Sequence, residues 1–88
     1  MNLNPNELDK LLMLEASVNY TILHFTDGES QIYSYTLKRF EQQLALNDSF
    51  VRIHKSFIVN RAFIQEVRKR EVVLLSDKVL PLARRRRV

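Results

Sequence analysis

Apolar and polar positions alternate along much of this chain, and the period of that alternation changes once. Tyr20 to Phe25 puts Thr21, Leu23 and Phe25 on one side and Tyr20, Ile22 and His24 on the other. Ser30 to Tyr35 alternates again, and Asp27-Gly28 stands between the two segments. That arrangement predicts a β-hairpin, closed by a type I′ turn with positive φ at both central residues. Leu11 to Glu15 is a short apolar run suited to a buried strand. Between Thr36 and Leu46 the period becomes helical, because Leu37, Phe40 and Leu44 fall on one helix face. Thr36 suits the N-cap, Asn47-Asp48 ends the helix, and Arg39 stands where a capping box would want Glu.

Four more segments rich in β-branched and aromatic residues follow: Phe50 to Ile53, Phe57 to Val59, Phe63 to Val67 and Val72 to Leu75. A last one, Val79 to Leu82, contains Pro81 and is expected at a sheet edge. Residues 1–10 have no strong pattern and are expected to be a loose lead-in. The predicted fold class is mainly β, with small antiparallel sheets and one short α-helix, in a single domain over residues 1–88.

Composition narrows the function classes. The chain has no cysteine, which removes disulfides, thiolate metal sites and cysteine nucleophiles together. No apolar run approaches the length of a membrane span, and the opening MNLNPNELDK lacks a signal-peptide layout, so the cytoplasm is the expected location. His24 and His54 are far apart, no metal-binding spacing occurs, and the carboxylates are scattered. Neither an enzyme nor a cofactor or metal site is expected. Charge is polarised. Residues 1–44 carry three basic and six acidic residues, a balance of −3, whereas residues 45–88 carry eleven and four, a balance of +7. A positive half of that kind suits an anionic partner such as duplex DNA, or is simply a solvated basic surface.

The densest chemistry lies in Phe50 to Asn60, FVRIHKSFIVN, where Arg52, His54, Lys55, Ser56 and Asn60 interrupt an apolar stretch. Lys and Arg neutralise phosphates, and Ser or Asn bonds phosphate oxygens or base edges. The plainer reading makes His54 and Asn60 turn-holding residues that satisfy backbone groups. Arg68-Lys69-Arg70 reads as a solvated turn; Arg84 and Arg85 read as DNA contacts and Arg86 and Arg87 as non-specific phosphate neutralisers, the alternatives being a disordered basic tail or a membrane-surface anchor.

Several of these motifs, in this order, resemble the LytTR-type DNA-binding domain of bacterial response regulators. The resemblance rests on LEA at Leu14 to Ala16, NY at Asn19-Tyr20, DG at Asp27-Gly28 and the span from Leu37 through Leu44. RIHKSFIVN at Arg52 to Asn60, Ile64, and LPLARRR at Leu80 to Arg86 complete it. It implies an elongated array of small sheets whose loops, rather than a recognition helix, enter successive major grooves of double-stranded DNA. Residue by residue, it implies Asn19 or Tyr20 at a base edge and Lys55 at the DNA. Arg52 and Ser56 would lie on the DNA backbone, and Arg84 in a groove with Arg85 beside it. His54 would hold the turn that aims Lys55. It further implies a transcriptional output module, two copies on a tandem or paired site, and a receiver domain in a longer parent protein.

The chain departs from that pattern in four places. Ala83 stands where the family usually has Ser, and no Gly occurs near Asp77-Lys78. The strand that normally precedes LEA is weak in residues 1–10, and no receiver domain is present. The alternatives are an RNA-binding β-domain, with Tyr33 and Tyr35 as a stacking face, and a protein-interaction module.

Overall fold

The computed structural model describes residues 3–88, in which eight strands form two antiparallel sheets. The first sheet contains β1 (Leu11–Ser17), β2 (Tyr20–Phe25), β3 (Ser30–Tyr33), β4 (Phe50–His54) and β5 (Phe57–Asn60), in the order β3-β2-β1-β5-β4. The second contains β6 (Ile64–Val67), β7 (Glu71–Leu74) and β8 (Val79–Pro81) in sequence order. Pro81 thus lies on an edge strand, where its missing N–H costs no ladder bond.

Both faces of the five-stranded sheet are covered. Leu11, Leu14, Leu23 and Ile58 meet Leu37, Phe40 and Leu44 on one side. Met13, Ile53 and Val59 meet Val72, Leu74 and Leu80 of the second sheet on the other. The β1–β2 register shifts between Leu11 and Met13, and this irregularity lets Leu11 and Leu14 share a face that Met13 does not. The helical period of Thr36 to Leu46 resolves as α2 (Leu37–Gln43), and the Thr36 hydroxyl accepts the Arg39 amide as N-cap. Thr21, fully buried, donates its hydroxyl to the Tyr35 carbonyl at 2.7 Å and ties β2 to the segment entering α2.

Two expectations need correction. Residues 5–10 are not a loose lead-in but a short helix, α1 (Pro5–Lys10). Asn4 accepts the Glu7 amide, Pro5 fixes φ at the first turn, and Glu7 complements the positive helix end. Leu3 and Leu8 pack against the core beside it. The missing apolar period reflects how short the helix is. The second correction concerns the Asp27-Gly28 hairpin, which forms without a type I′ turn.

Only Gly28 there has positive φ, at 88°, with its amide bonded to the Phe25 carbonyl and the Phe25 amide to the Glu29 carbonyl. That is a three-residue connection, a type I turn followed by a left-handed residue. The β7–β8 connection repeats it: the Asp77 amide bonds the Leu74 carbonyl, the Leu74 amide bonds the Lys78 carbonyl, and Asp77 has φ 65°. The glycine absent from Asp77-Lys78 is therefore replaced by a residue that tolerates the left-handed region.

The two equivalent turn positions generate a matched prediction. A Cβ at Gly28 would meet nothing within 4 Å, so substitution there acts through backbone conformation alone. Asp77→Gly should stabilise the fold by about 0.5–1 kcal/mol and Gly28→Asp should destabilise it by a similar amount. Urea titration of both variants checks this, and shifts of equal sign would contradict the shared turn geometry.

Candidate nucleic-acid interface

Strand register decides which loops lie together. Ser17 pairs with Tyr20 and Glu15 with Phe57, so the β1–β2 turn and the β4–β5 turn emerge at the same end of the sheet. The Ala16 amide donates to the Ser56 carbonyl at 2.8 Å, joining the two turns directly. Strand spacing puts their centres on the order of 10 Å apart. The C-terminal segment joins them through β4. The β4–β5 register shifts between Arg52 and His54, and the Ile53 carbonyl at this bulge accepts the Ala83 amide at 2.8 Å. Asn19, Tyr20, Lys55 and Ser56 therefore lie at one end of the sheet, and the segment before Arg84 and Arg85 is bonded to β4 beside the second of these turns.

Among these residues the side chains differ. Asn19, Tyr20, Lys55, Arg84 and Arg85 are exposed. Val18, beside Asn19, is also exposed and has φ 55°, a strained conformation for a β-branched residue. Ser56 is half-buried, and its amide donates to His54 Nδ1 at 3.1 Å, so His54 does hold the turn carrying Lys55. Asn60 accepts the Ala62 amide, capping a 3-10 turn over Arg61–Phe63, and donates to the Leu11 carbonyl. Its role is structural, and the strand expected from Phe63 begins instead at Ile64.

Arg52 is the most constrained member. Its Nε donates to the His54 carbonyl at 3.0 Å and its Nη2 to the Lys55 carbonyl at 2.6 Å. Its Nη1 meets Glu41 Oε1 at 2.8 Å, with the side chain only 13% exposed. The DNA-backbone role implied for Arg52 thus meets a guanidinium whose three nitrogens already serve its own chain.

Glu7, Asp9, Asp27 and Glu29 lie at the opposite end of the sheet, where the Thr26 amide bonds the Lys10 carbonyl. The β6–β7 turn joins the basic end, because the Leu82 amide donates to the Arg70 carbonyl at 2.9 Å. Arg68 is paired with Glu66 and Glu71, and the Glu66 hydrogen bond above all raises its pKa further. Lys69 and Arg70 are exposed and form no ion pair among the described residues. They belong to the exposed turn that the sequence suggested, and the β7–β8 ladder carries Arg70 opposite Leu82.

Tyr33 and Tyr35 pack edge-on against Phe40, at centroid distances of 5.7 and 6.2 Å. Arg39 also lies 4.5 Å from the Tyr35 ring centroid. Both rings are thus partly engaged within the fold, and Arg39 lies over one face of Tyr35. Among the described residues there is no group of three or more His, Cys, Asp or Glu able to hold a metal, and no helix long and apolar enough to cross a membrane.

Comparison with known proteins finds a matching family and similar solved structures. The family model for the LytTr DNA-binding domain matches residues 2–88. Among solved structures, the chain is similar to the LytTr DNA-binding domain of a methyl-accepting/DNA response regulator from Bacillus cereus, with a TM-score of 0.75 at 27% identity. That match covers 86% of this chain and 72% of the other. No curated protein matches.

Proposed function

The chain belongs to the LytTr DNA-binding domain family, and from that premise we propose that it binds double-stranded DNA sequence-specifically as the output domain of a bacterial response regulator. The observation that carries this is the convergence of three separate segments on one basic end. In this reading Asn19 or Tyr20 meets a base edge, Lys55 projects to the DNA, and Ser56 meets a phosphate. Arg84 enters a groove with Arg85 beside it, Arg being the usual bidentate partner of guanine. Lys69, Arg70, Arg86 and Arg87 add sequence-independent phosphate neutralisation. Arg52 acts through the turn it braces.

The Cα extents of 33 × 24 × 24 Å make the domain about as long as one duplex turn, roughly 34 Å. One such domain makes few base contacts, so two copies on a tandem or paired site supply the discrimination that a genome demands. A receiver domain in a longer parent protein and a cytoplasmic setting complete the proposal. Burial of Tyr33 and Tyr35 against Phe40 weighs against the RNA alternative. A protein-interaction module would show no duplex binding.

Mobility-shift titrations check the proposal in two ways. Affinity should fall linearly in log–log form with salt, by about 0.9 for each phosphate neutralised, and a flat response would remove DNA as the partner. Arg84→Ala should lose discrimination by roughly 1–3 kcal/mol, whereas Arg87→Ala should weaken every sequence alike. Equal specificity ratios in the two variants would rule out Arg84 as a reader.

A further inference from the structure

Glu41 presents a physical puzzle. A carboxylate near a phosphate-binding surface repels the ligand, yet this one sits against two arginines of the basic end. Its Oε1 lies 2.8 Å from Arg52 Nη1 on β4, and its Oε2 lies 3.6 Å from Arg86 Nη1 on the C-terminal segment. The carboxylate stands on α2, an element with no other part in the candidate interface. It lines an open groove of about 570 Å³ together with Arg52 and Arg85 to Arg87.

We propose that Glu41 is a positioning residue for DNA recognition, clamping Arg52 and Arg86 so that Lys55, Arg84 and Arg85 are presented in fixed relation. The inference rests on the DNA-binding proposal above. Its mechanism is geometric. Arg52 uses Nε and Nη2 to grip the His54 and Lys55 carbonyls, and Glu41 fixes the remaining Nη1. With all three nitrogens engaged, the plane of the guanidinium is set, and so is the backbone that carries Lys55. Arg86 is drawn to the same carboxylate, two residues beyond Arg84, while the Arg86 amide bonds the Ala83 carbonyl at 3.0 Å. A single anion therefore couples the two cationic reading segments.

Glutamine at this position keeps only one acceptor oxygen and gains a donor, so it cannot serve both arginines. Losing a negative charge should strengthen sequence-independent binding, whereas losing the clamp should weaken sequence reading. The two effects have opposite signs, which separates positioning from simple electrostatics.

The experiment uses the duplex that the wild-type protein enriches from a random pool, measured beside a scrambled duplex of equal length. Glu41→Gln should bind the scrambled duplex as tightly as wild type or tighter, while its specificity ratio falls on the order of tenfold. The conservative change Arg52→Lys should lower the ratio similarly, and the double variant should be no worse than either single one, because both break the same clamp. A parallel rise in both affinities with the ratio unchanged would make Glu41 a mere counter-charge and overturn the inference. So would a Glu41→Gln protein that fails to fold, because the residue would then serve stability. Failure of wild type to enrich any duplex would instead refute the DNA-binding proposal itself.

Discussion

The placement of β1 between β2 and β5 is the constraint on which the rest of this molecule depends. Its antiparallel partners fix both turns at one end, through Ser17 opposite Tyr20 and Glu15 opposite Phe57. A slip of one residue would turn the face bearing Leu14 and Ile58 outward and exchange it for the face bearing Met13 and Val59. Here both faces are buried, one under α2 and the other under the second sheet, so side-chain shape as well as polarity holds the register. The irregularity between Leu11 and Met13 absorbs the mismatch at the far end, away from the basic turns.

Local pattern made much of this legible. Alternation and the switch to a helical period located β2, β3 and α2, because a half-buried strand and an amphipathic helix each leave a characteristic spacing. Thr36 announced its helix, and Pro81 its edge strand. Helix α1 was not legible, since six residues hold too few apolar positions to show a period. The Asp-Gly pair identified the hairpin but not its turn, because Gly28 serves equally well as the left-handed residue of a three-residue loop. Residues 64–67 and 71–74 were recognisable as strands, but their separation into a second sheet depends on pairings that no local window contains.

For the candidate site, the sequence motifs proposed residues but not what each of them touches. Motif order proposed Asn19, Tyr20, Lys55 and Arg84; β1 pairing puts the first three at one end of the sheet, and the Ala83–Ile53 bond brings the segment before Arg84 to β4. Arg52 looked like any other cation in a basic half. Its commitment to the His54 and Lys55 carbonyls depends on the bulge in β4 and on a glutamate eleven positions earlier. Arg68 to Arg70 form the exposed turn that the sequence suggested, and the structure adds its ion pairs. Arg68 is spent on Glu66 and Glu71, while its two neighbours face outward beside the C-terminal segment.

These differences separate two kinds of cation. Lys55, Arg84 and Arg85 are exposed and form no ion pair among the described residues, so their charge is available to a phosphate or a base. Arg52 is nearly enclosed and gives its hydrogen bonds to carbonyls that belong to the loop itself. A loop in water samples many conformations, and ordering it on contact with DNA would cost part of the binding free energy. An internal arginine that already satisfies the turn's carbonyls meets that cost during folding. In a β-scaffold this small, the order of exposed loop residues depends on such cross-braces. The bulge in β4, the His54 imidazole, the Arg52 guanidinium and the Glu41 carboxylate are such braces at this end.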